Sequence, residues 1–323
     1  MSPRTAWVES PLQMISAIEA SSAGLFGRST DIVYRRDLTS TAELAARLAS
    51  VPLPHGVSLH AAPPSSLWRR SQIDAFGDAF SGAVQARRLA ARPHAAVLLD
   101  DGLATLHVID LLTRSVPAPL IRARAEVGTM RRQLGLIARA QFVHMMRQGR
   151  LTVFTGLPVP EDLESAFARA GGLIQHHAFQ WSASLRGPEL HGAGTVVVGA
   201  AMASDGLVDP GSYVRWVHDI AESTDDEVVY IPHRRESTAI TAQVADRTSI
   251  RVERGPWPVE ISLRCLPPGS VVHCLPSTPL LTLRGVLRES GVSLIGHQIP
   301  ESWWTPHATQ QFRTSIASIM RQS

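Results

Sequence analysis

The sequence predicts an α/β protein of two domains, each built around a mostly parallel β-sheet. Its 323 residues suit two domains of ordinary size. Short apolar runs alternate with longer helical patterns, which is typical of βαβ units. The alternation is interrupted once, at residues 182–194, where Ser, Gly, Pro and polar residues predict a linker. We therefore expect domains at residues 1–185 and 186–323.

In the first half, apolar runs predict strands and the stretches between them predict helices. Ligands of parallel sheets bind beyond the carboxyl ends of the strands, so polar residues that directly follow a strand are the candidates for function. The predicted strands are 5–8, 31–34, 57–60, 95–99 and 151–154, and the predicted helices are 14–23, 41–49, 73–91 and 105–112.

The alternation restarts in the second half. Thr305-Pro306 resembles an N-cap followed by proline at the first helical position, so a last helix is expected from there. No sequence repeat relates the two halves, so their similarity would be one of fold only. The predicted strands are 195–199, 227–232, 249–252, 270–275 and 293–295, with helices at 212–223 and 238–245.

The composition excludes several classes of protein. Hydrophobic residues at 44% and charged residues at 18% indicate a globular chain. The net charge of +3 permits an anionic ligand, but no basic stripe with interleaved aromatics indicates nucleic-acid binding. Cys265 and Cys274 are too few for a disulfide framework and are not spaced as a metal pair, which predicts a reduced, cytoplasmic protein. No apolar run is long enough to span a membrane.

Two adjacent carboxylates follow the predicted strand at 95–99. Asp100 and Asp101 come directly after it, and Gly102 lets the chain turn sharply behind them. Neighbouring strand residues point to opposite faces, so one carboxylate is expected to face a ligand. Partial burial and the neighbouring acid would raise the pKa of that carboxylate, as suits a general base. The alternative is an acidic turn that caps the next helix.

Further polar groups follow strands of the second half. Glu260 lies 27 residues beyond His233, and Ser277-Thr278 begin 44 residues beyond it. His233, followed by Arg234, offers hydrogen-bond donors to a phosphate and a group that passes protons near neutral pH. A helix that begins at the Ser-Thr pair would favour an anion. Taken singly, His233 is more often a surface histidine and a Ser-Thr pair more often a helix cap, but their shared placement favours a common function.

Together these motifs resemble the bacterial sialyltransferases of the GT-B type, nearest to the polysialyltransferase-like and lipooligosaccharide sialyltransferase group. That family carries an acidic pair followed by Gly, a His-Pro motif, and a Ser-Ser or Ser-Thr motif, in this order. Here an arginine follows the histidine, and the proline precedes it. The matching residues, which span nearly the whole chain, are Asp100-Asp101-Gly102, Pro232-His233 and Ser277-Thr278, with Val8-Glu9-Ser10-Pro11-Leu12-Gln13 similar to the family's first strand and turn.

The resemblance implies a GT-B-like fold, in which two Rossmann-like α/β domains face each other across a cleft and a C-terminal helix lies at the domain junction. It implies inverting, metal-independent transfer of sialic acid or a related nonulosonate from a CMP-activated donor to an acceptor hydroxyl, without a cofactor. The first domain would hold the acceptor and the base, and the second the nucleotide. Single transfer is expected, because the chain is shorter than typical polymerising members.

The resemblance also implies a role for each matching residue. One carboxylate of the acidic pair would take the proton of the acceptor, and the histidine would act as general acid on the departing phosphate. The implied catalytic residues are Asp100, Asp101 and His233; the implied nucleotide ligands are His233, Arg234, Glu260, Ser277 and Thr278; the implied substrate contacts are Ser10, Gln13 and Gly102.

Two patterns bear on the acceptor, which could be a glycan, a lipid-linked molecule or a small molecule. Residues 129–150 read as a basic amphipathic helix, which packs on the core or contacts a membrane surface from the cytoplasmic side. Trp303-Trp304 either pack at the domain junction or stack on a ligand. Two alternative functions stay open: transfer from a different CMP-linked donor or to a secondary metabolite, and a non-catalytic CMP-binding relative.

Overall fold

The computed structural model describes residues 4–62, 73–91, 93–122, 127–185, 187, 190 and 193–321. The chain divides into two compact units, Met1–Ser184 and Leu185–Ser323. Part of the predicted linker, at 186, 188–189 and 191–192, lies outside the described residues. Of the helices described, none is both long enough and apolar enough to cross a membrane.

Unit 1 contains a seven-stranded sheet in the order β3-β2-β1-β4-β5-β6-β7, with every neighbouring pair parallel. The central strands are buried on both faces, as expected of a sheet covered by helices. The strands are β1 (Arg4–Val8), β2 (Thr30–Arg35), β3 (Val57–Ala62), β4 (Ile73–Phe76), β5 (Ala96–Leu99), β6 (Leu151–Thr155) and β7 (Leu173–His176).

Six helices connect these strands. The start of α1 is stabilised because Ser10 accepts a hydrogen bond from the amide of Gln13 and Pro11 occupies the first turn. The buried side chains between sheet and helices include Trp7, Phe76 and Phe142. The helices are α1 (Pro11–Ser22), α2 (Thr39–Leu48), α3 (Gly82–Ala91), α4 (Leu103–Thr113), α5 (Thr129–Arg147) and α6 (Glu161–Arg169).

The predicted helix at 73–91 is wrong over its first part. Ile73–Phe76 form β4, which pairs with β1 and β5, and the helix begins only at Gly82. Four residues are too few for periodicity to separate a strand from a helix. The sequence also did not predict α6 or the short edge strand β7, whose half-exposed residues give little hydrophobic signal.

Unit 2 contains a five-stranded parallel sheet in the order β10-β9-β8-β11-β12. Short 3-10 turns at Leu263–Cys265 and Glu301–Trp303 complete it, and a third, Ser182–Ser184, ends unit 1. The strands are β8 (Thr195–Val198), β9 (Val228–Ile231), β10 (Ile250–Val252), β11 (Val271–Cys274) and β12 (Ser293–Gly296), and the helices are α7 (Pro210–Glu222), α8 (Thr238–Val244), α9 (Val259–Ser262), α10 (Thr278–Leu287) and α11 (Gln310–Arg321).

The last helix begins later than predicted. Thr305 does not cap it, because its hydroxyl donates to the carbonyl of Gly206 and its amide to that of Leu207. α11 starts at Gln310, and Thr309 Oγ1 accepts the amide of Phe312 at 3.3 Å. The Thr-Pro pair therefore fixes the approach to the helix rather than its first turn.

Both sheets reverse their strand order at one point, which is where ligands of such sheets bind. In unit 1 the reversal lies between β1 and β4, and in unit 2 it lies between β8 and β11. The carboxyl ends of these strands, and of the strands beside them, are therefore the places to look for a site.

Candidate functional site

The carboxyl edge of the unit 1 sheet carries a row of acidic residues. Register pairs Trp7 with Phe76 and Phe76 with Leu98, so residues two positions beyond them form the next row. That row contains three acids, one at the end of each of three adjacent strands. They are Glu9, Asp78 and Asp100, with Asp101 one residue further along the chain.

Asp100 is fully buried and its carboxylate is enclosed by hydrogen bonds. The amides of Gly102 and Gly156 each donate to it at 2.8 Å, Thr155 Oγ1 donates at 2.9 Å, and Thr105 Oγ1 lies at 3.4 Å. Burial raises the pKa of Asp100, and these four donors oppose that rise. The carboxylate of Asp100 therefore links the ends of β5 and β6 and is not accessible to a substrate.

Asp101 has different surroundings, as the alternation along a strand predicts. Its side chain is 10% exposed. Gln13 Nε2 donates to its Oδ1 at 2.6 Å, and the guanidinium of Arg122 lies 3.0 Å from its Oδ2. The same guanidinium lies 2.8 Å from Asp78 Oδ2 and is itself 55% exposed, so an arginine bridges two carboxylates on the solvent side. Of the acidic pair, Asp101 is the one that a substrate could reach.

Three predicted substrate contacts have structural duties here. Ser10 is buried and caps α1. Gln13 is buried between the amide of Glu9, which donates to its Oε1 at 2.7 Å, and Asp101. Gly102 has a φ of 67°, which confirms the predicted sharp turn. The backbone at Gly77 also lies close to the side chain of Gln13, because an added Cβ would lie 2.0 Å from Gln13 Oε1. Ser10 and Gly102 therefore shape the edge rather than present a group to a ligand.

The carboxyl edge of the unit 2 sheet brings several predicted residues together. Register aligns Ile231, Val198 and Cys274 across β9, β8 and β11. His233 lies two residues beyond the first of these and Ser277 three beyond the last. Two strand spacings separate the ends of β9 and β11, which is about 10 Å. These two residues therefore flank the end of β8, one on each side.

His233 is half-buried at the end of β9. Burial lowers its pKa to about 4, and the positive charges of Arg235 and Arg234 add to this effect. Its Nδ1 accepts the amide of Arg235 at 3.1 Å, so the ring is neutral near pH 7 and carries its proton on Nε2. The side chains of both arginines are exposed, and Arg235 pairs with Asp205 at 3.1 Å.

A buried carboxylate that the sequence did not identify holds the turn after β9. Glu236 accepts hydrogen bonds from Tyr230 at 2.6 Å, from Thr241 at 3.0 Å and from Tyr213 at 3.3 Å. Its amide donates to the carbonyl of His233 at 2.7 Å. Burial raises the pKa of Glu236, and its hydroxyl partners oppose that rise. The side chain thereby anchors the turn that carries the imidazole.

The end of β8 is also tied to this cluster. The amide of Ala200 donates to Tyr213 Oη at 2.9 Å. A Cβ added at Gly199 would lie 2.8 Å from Tyr230 Oη, 2.9 Å from Glu236 Oε2 and 2.9 Å from the amide nitrogen of His233. Only glycine fits there without displacement, so the turn that carries His233 packs directly against β8.

The predicted Ser-Thr motif lies at the start of α10. Ser277 occupies the N-cap position, but its hydroxyl donates to the carbonyl of Leu275 at 2.9 Å and does not cap the helix. Thr278 is the first helical residue. A helix therefore does begin at the Ser-Thr pair, which is the condition that the sequence argument for an anion site required. The amide end of a ten-residue helix therefore points to the carboxyl edge of the sheet, and its dipole favours an anion.

Glu260 lies beside the same helix. It is 3% exposed, and Thr282 Oγ1 donates to its Oε1 at 2.7 Å. Thr282 also contacts the carbonyl of Thr278 at 3.2 Å. Thr282 thus links Glu260 to Thr278, next to Ser277, within the first turn and a half of α10, while His233 lies on the other side of β8.

A groove with a volume of about 470 Å³ begins next to this motif, at Pro276. It runs between α11 and residues 298–304, and its size falls within the range of small-molecule sites. Trp304 lines it and packs edge-on against Phe312, with the guanidinium of Arg313 5.7 Å from its ring. In the part of the chain that the structure describes, no three His, Cys, Asp or Glu side chains are grouped to hold a metal ion.

No protein-family model and no curated protein matches the chain. Among solved structures, Arabidopsis thaliana UGT89C1 complexed with UDP-L-rhamnose shows 11% identity and a TM-score of 0.46, over 99% of this chain and 94% of that one. Acinetobacter baumannii MurG shows 9% identity and a TM-score of 0.36, over 99% and 84%. Neither similarity carries a functional argument. The chain is an α/β protein with a parallel sheet in each of its two units, and its function has to be inferred from the residues at the sheet edges.

Proposed function

We propose that the chain is an inverting, metal-independent glycosyltransferase that moves sialic acid or a related nonulosonate from a CMP-activated donor to an acceptor hydroxyl. The observation that carries this proposal is the edge of the unit 2 sheet, where the imidazole of His233 and the amide end of α10 flank the end of β8. A nucleotide phosphate matches this combination of neutral and dipolar donors.

The nucleotide binds to unit 2 in this proposal. Its phosphate lies at the first turn of α10, next to Ser277 and Thr278, with the exposed Arg234 as a further cation. Glu260, which lies beside the first turns of α10 and accepts a hydrogen bond from Thr282, is the carboxylate that accepts hydrogen bonds from the ribose hydroxyls. The groove at Pro276 provides room for a further part of the donor.

The lowered pKa of His233 constrains its role. A neutral imidazole with its proton on Nε2 donates a hydrogen bond to the phosphate, and it becomes a general acid only after the bound anion raises its pKa. The reaction needs no strong acid, because the C–O bond to the phosphate breaks with the electron pair on CMP. Donors fixed on the departing phosphate therefore supply the stabilisation.

Unit 1 supplies the base. The acceptor hydroxyl gives its proton to a carboxylate as its oxygen forms the new bond to the anomeric carbon of the donor. Asp101 suits this step better than Asp100, because its side chain is partly exposed whereas the other is fully enclosed. Arg122 forms an ion pair with Asp101 in the resting protein, and this contact has to weaken when the carboxylate takes a proton.

Calorimetric titration of the full chain with CMP, in the presence of EDTA, tests the nucleotide site. Wild type should bind CMP, and Ser277→Ala, Glu260→Gln and His233→Gln should each bind it about 5- to 30-fold more weakly. Ser290→Ala is a matched control, because Ser290 Oγ also donates to a carbonyl, at 2.8 Å from Leu287 O. No binding of CMP, or equal binding of UMP and UDP, would contradict the donor assignment.

Release of CMP from CMP-nonulosonate donors tests catalysis. Asp101→Asn should lose transfer while keeping CMP affinity. Unchanged function in Asp101→Asn and His233→Gln would instead indicate a non-catalytic CMP-binding protein. Binding of CMP without turnover of any nonulosonate donor would indicate a different CMP-linked donor, and a product screen with glycan, lipid-linked and small-molecule acceptors identifies the second substrate.

A further inference from the structure

We propose that unit 1 binds an anionic lipid bilayer through the exposed face of α5 together with Val116. This surface, called the α5 face below, consists of Val116, Met130, Arg132, Leu136, Ile137 and Arg147. It does not depend on the proposed reaction, because none of these residues belongs to either sheet edge.

Large apolar side chains are concentrated on this surface. Met130 is 85% exposed, Ile137 50% and Leu136 39%, and Val116 is 75% exposed. Only six large apolar side chains are exposed in the described part of the chain, and these are four of them. A local cluster of such residues marks an interaction surface, whereas scattered ones do not.

The geometry of α5 separates this face from the core. Gly135, Ala138, Phe142 and Met145 are buried, and at 100° per residue they lie on the side of the helix opposite the exposed positions. The helix has 19 residues, which gives a length of about 28 Å along the surface.

Hydrogen bonds hold the segment that contains Val116 against this helix. Arg139 Nε donates to the carbonyl of Leu111 at 2.9 Å, and its Nη2 donates to that of Arg114 at 2.6 Å. The amide of Leu120 donates to the carbonyl of Gly135 at 3.2 Å. The segment that contains the exposed Val116 is therefore fixed beside α5.

The charge of this surface indicates what covers it. α5 contains no acidic residue. Two of its arginines are used inside unit 1, since Arg131 binds Gln85 and Arg139 binds backbone carbonyls. Arg132 and Arg147 are exposed on the face itself. The only acid on the adjacent α4, Asp110, pairs with Arg114 at 2.5 Å.

Exposed apolar side chains flanked by cations, with no acid on the helix, match an anionic membrane surface. Long side chains such as those of Met130 and Ile137 can enter the boundary between headgroups and acyl chains, while arginines stay at the level of the phosphates. A protein partner or a second copy of this chain is the competing occupant, and the test below separates it.

Co-sedimentation of the full chain with vesicles tests the proposal. Binding should be strong to vesicles with 30% phosphatidylglycerol in phosphatidylcholine, weak to phosphatidylcholine alone, and reduced by 0.5 M NaCl. Arg132→Gln with Arg147→Gln should weaken binding about 30-fold. Met130→Ser with Ile137→Ser should weaken it at least about tenfold. The matched controls Arg215→Gln and Ile295→Ser, exposed in unit 2, should change nothing.

Two results would overturn the proposal. One is equal binding by wild type and both double variants. The other is a concentration-dependent dimer, seen by light scattering, that the Met130→Ser with Ile137→Ser variant abolishes while no vesicle binds. Thermal unfolding of each variant verifies that it is folded.

Discussion

The carboxyl edges of the two sheets have the same topological position and opposite chemistry. In unit 1 the edge is acidic, and the protein itself satisfies its carboxylates: Asp100 through amides and hydroxyls, Asp101 through Gln13 and Arg122. In unit 2 the edge presents an imidazole and a helix amide end, and its two acids are buried. Glu236 and Glu260 both accept hydrogen bonds from neighbouring hydroxyls.

This difference shows that strand order fixes where a site can lie, whereas the partners of each polar group decide what it can do. A carboxylate surrounded by donors stabilises the fold, and one that is partly exposed can exchange a proton. A helix start with no capping side chain can receive an anion.

The largest effect is expected from Asp101→Asn. If this carboxylate is the base, the rate of transfer should fall about 1,000-fold, because an amide cannot accept the proton. CMP affinity should stay within about twofold of wild type. Turnover of a CMP-nonulosonate donor and CMP titration measure the two quantities. A normal rate in this variant would remove unit 1 from the chemistry.

Asp100→Asn should act on stability instead. The new amide group would face donors, leaving Thr155 Oγ1 and the amide of Gly156 without an acceptor in the core. The free energy of unfolding should fall by about 3 kcal/mol. Urea denaturation measures this, and Asp110→Asn, at an exposed site, should change stability by less than about 1 kcal/mol. A stable but inactive Asp100→Asn protein would reverse the roles of the two carboxylates.

Glu236→Gln should disturb the turn that carries His233. The amide can accept fewer hydrogen bonds from Tyr230, Tyr213 and Thr241. The free energy of unfolding should therefore fall by about 2 kcal/mol. CMP should bind about fivefold more weakly under conditions where the variant is fully folded. Equal CMP affinity would show that the cluster stabilises unit 2 without positioning the imidazole.

A smaller effect is expected in the pH dependence of CMP binding. The free protein binds a proton at His233 only near pH 4, and a bound phosphate should raise that pKa. The complex then takes up a proton that the free protein lacks. The contribution of His233 to CMP affinity should therefore increase as the pH falls from 8, by at most tenfold per pH unit. It should level off near pH 4, where the free protein also binds the proton.

The control for this measurement is His233→Gln, which keeps a donor and does not titrate. CMP protonates on its own phosphate near pH 6, and this contribution is common to both proteins. The ratio of the two affinities therefore isolates the imidazole. A ratio that does not change between pH 8 and 5 would show that His233 stays neutral in the complex and acts as a hydrogen-bond donor only.

Much of the fold was predictable because buried strands of parallel sheets are continuous apolar runs bounded by polar residues. The same pattern made Asp101, His233 and Ser277 candidates, since each lies just beyond such a run. β4 was not predictable, and with it Asp78 was hidden inside an apparent helix.

The hydrogen-bond and ion-pair partners of the site residues could not be predicted from the sequence, for a different reason. Arg122 lies 21 residues after Asp101 in an irregular segment, and no periodicity connects the two. Glu236 follows two arginines and has the local composition of a solvated loop. Only the folded chain brings the hydroxyls of Tyr213 and Tyr230, 23 and 6 residues away, against its carboxylate.

The turn that carries His233 packs so closely against Gly199 that even a methyl group does not fit there. A single methyl group at that position would push against the turn that carries His233 without altering any charge, donor or acceptor. Gly199→Ala therefore changes the geometry around His233, Tyr230 and Glu236 while every polar group is kept. This variant tests how far the imidazole of His233 can move before the protein loses its affinity for the nucleotide. Substitution of a polar side chain cannot test this, because it also removes a donor or an acceptor.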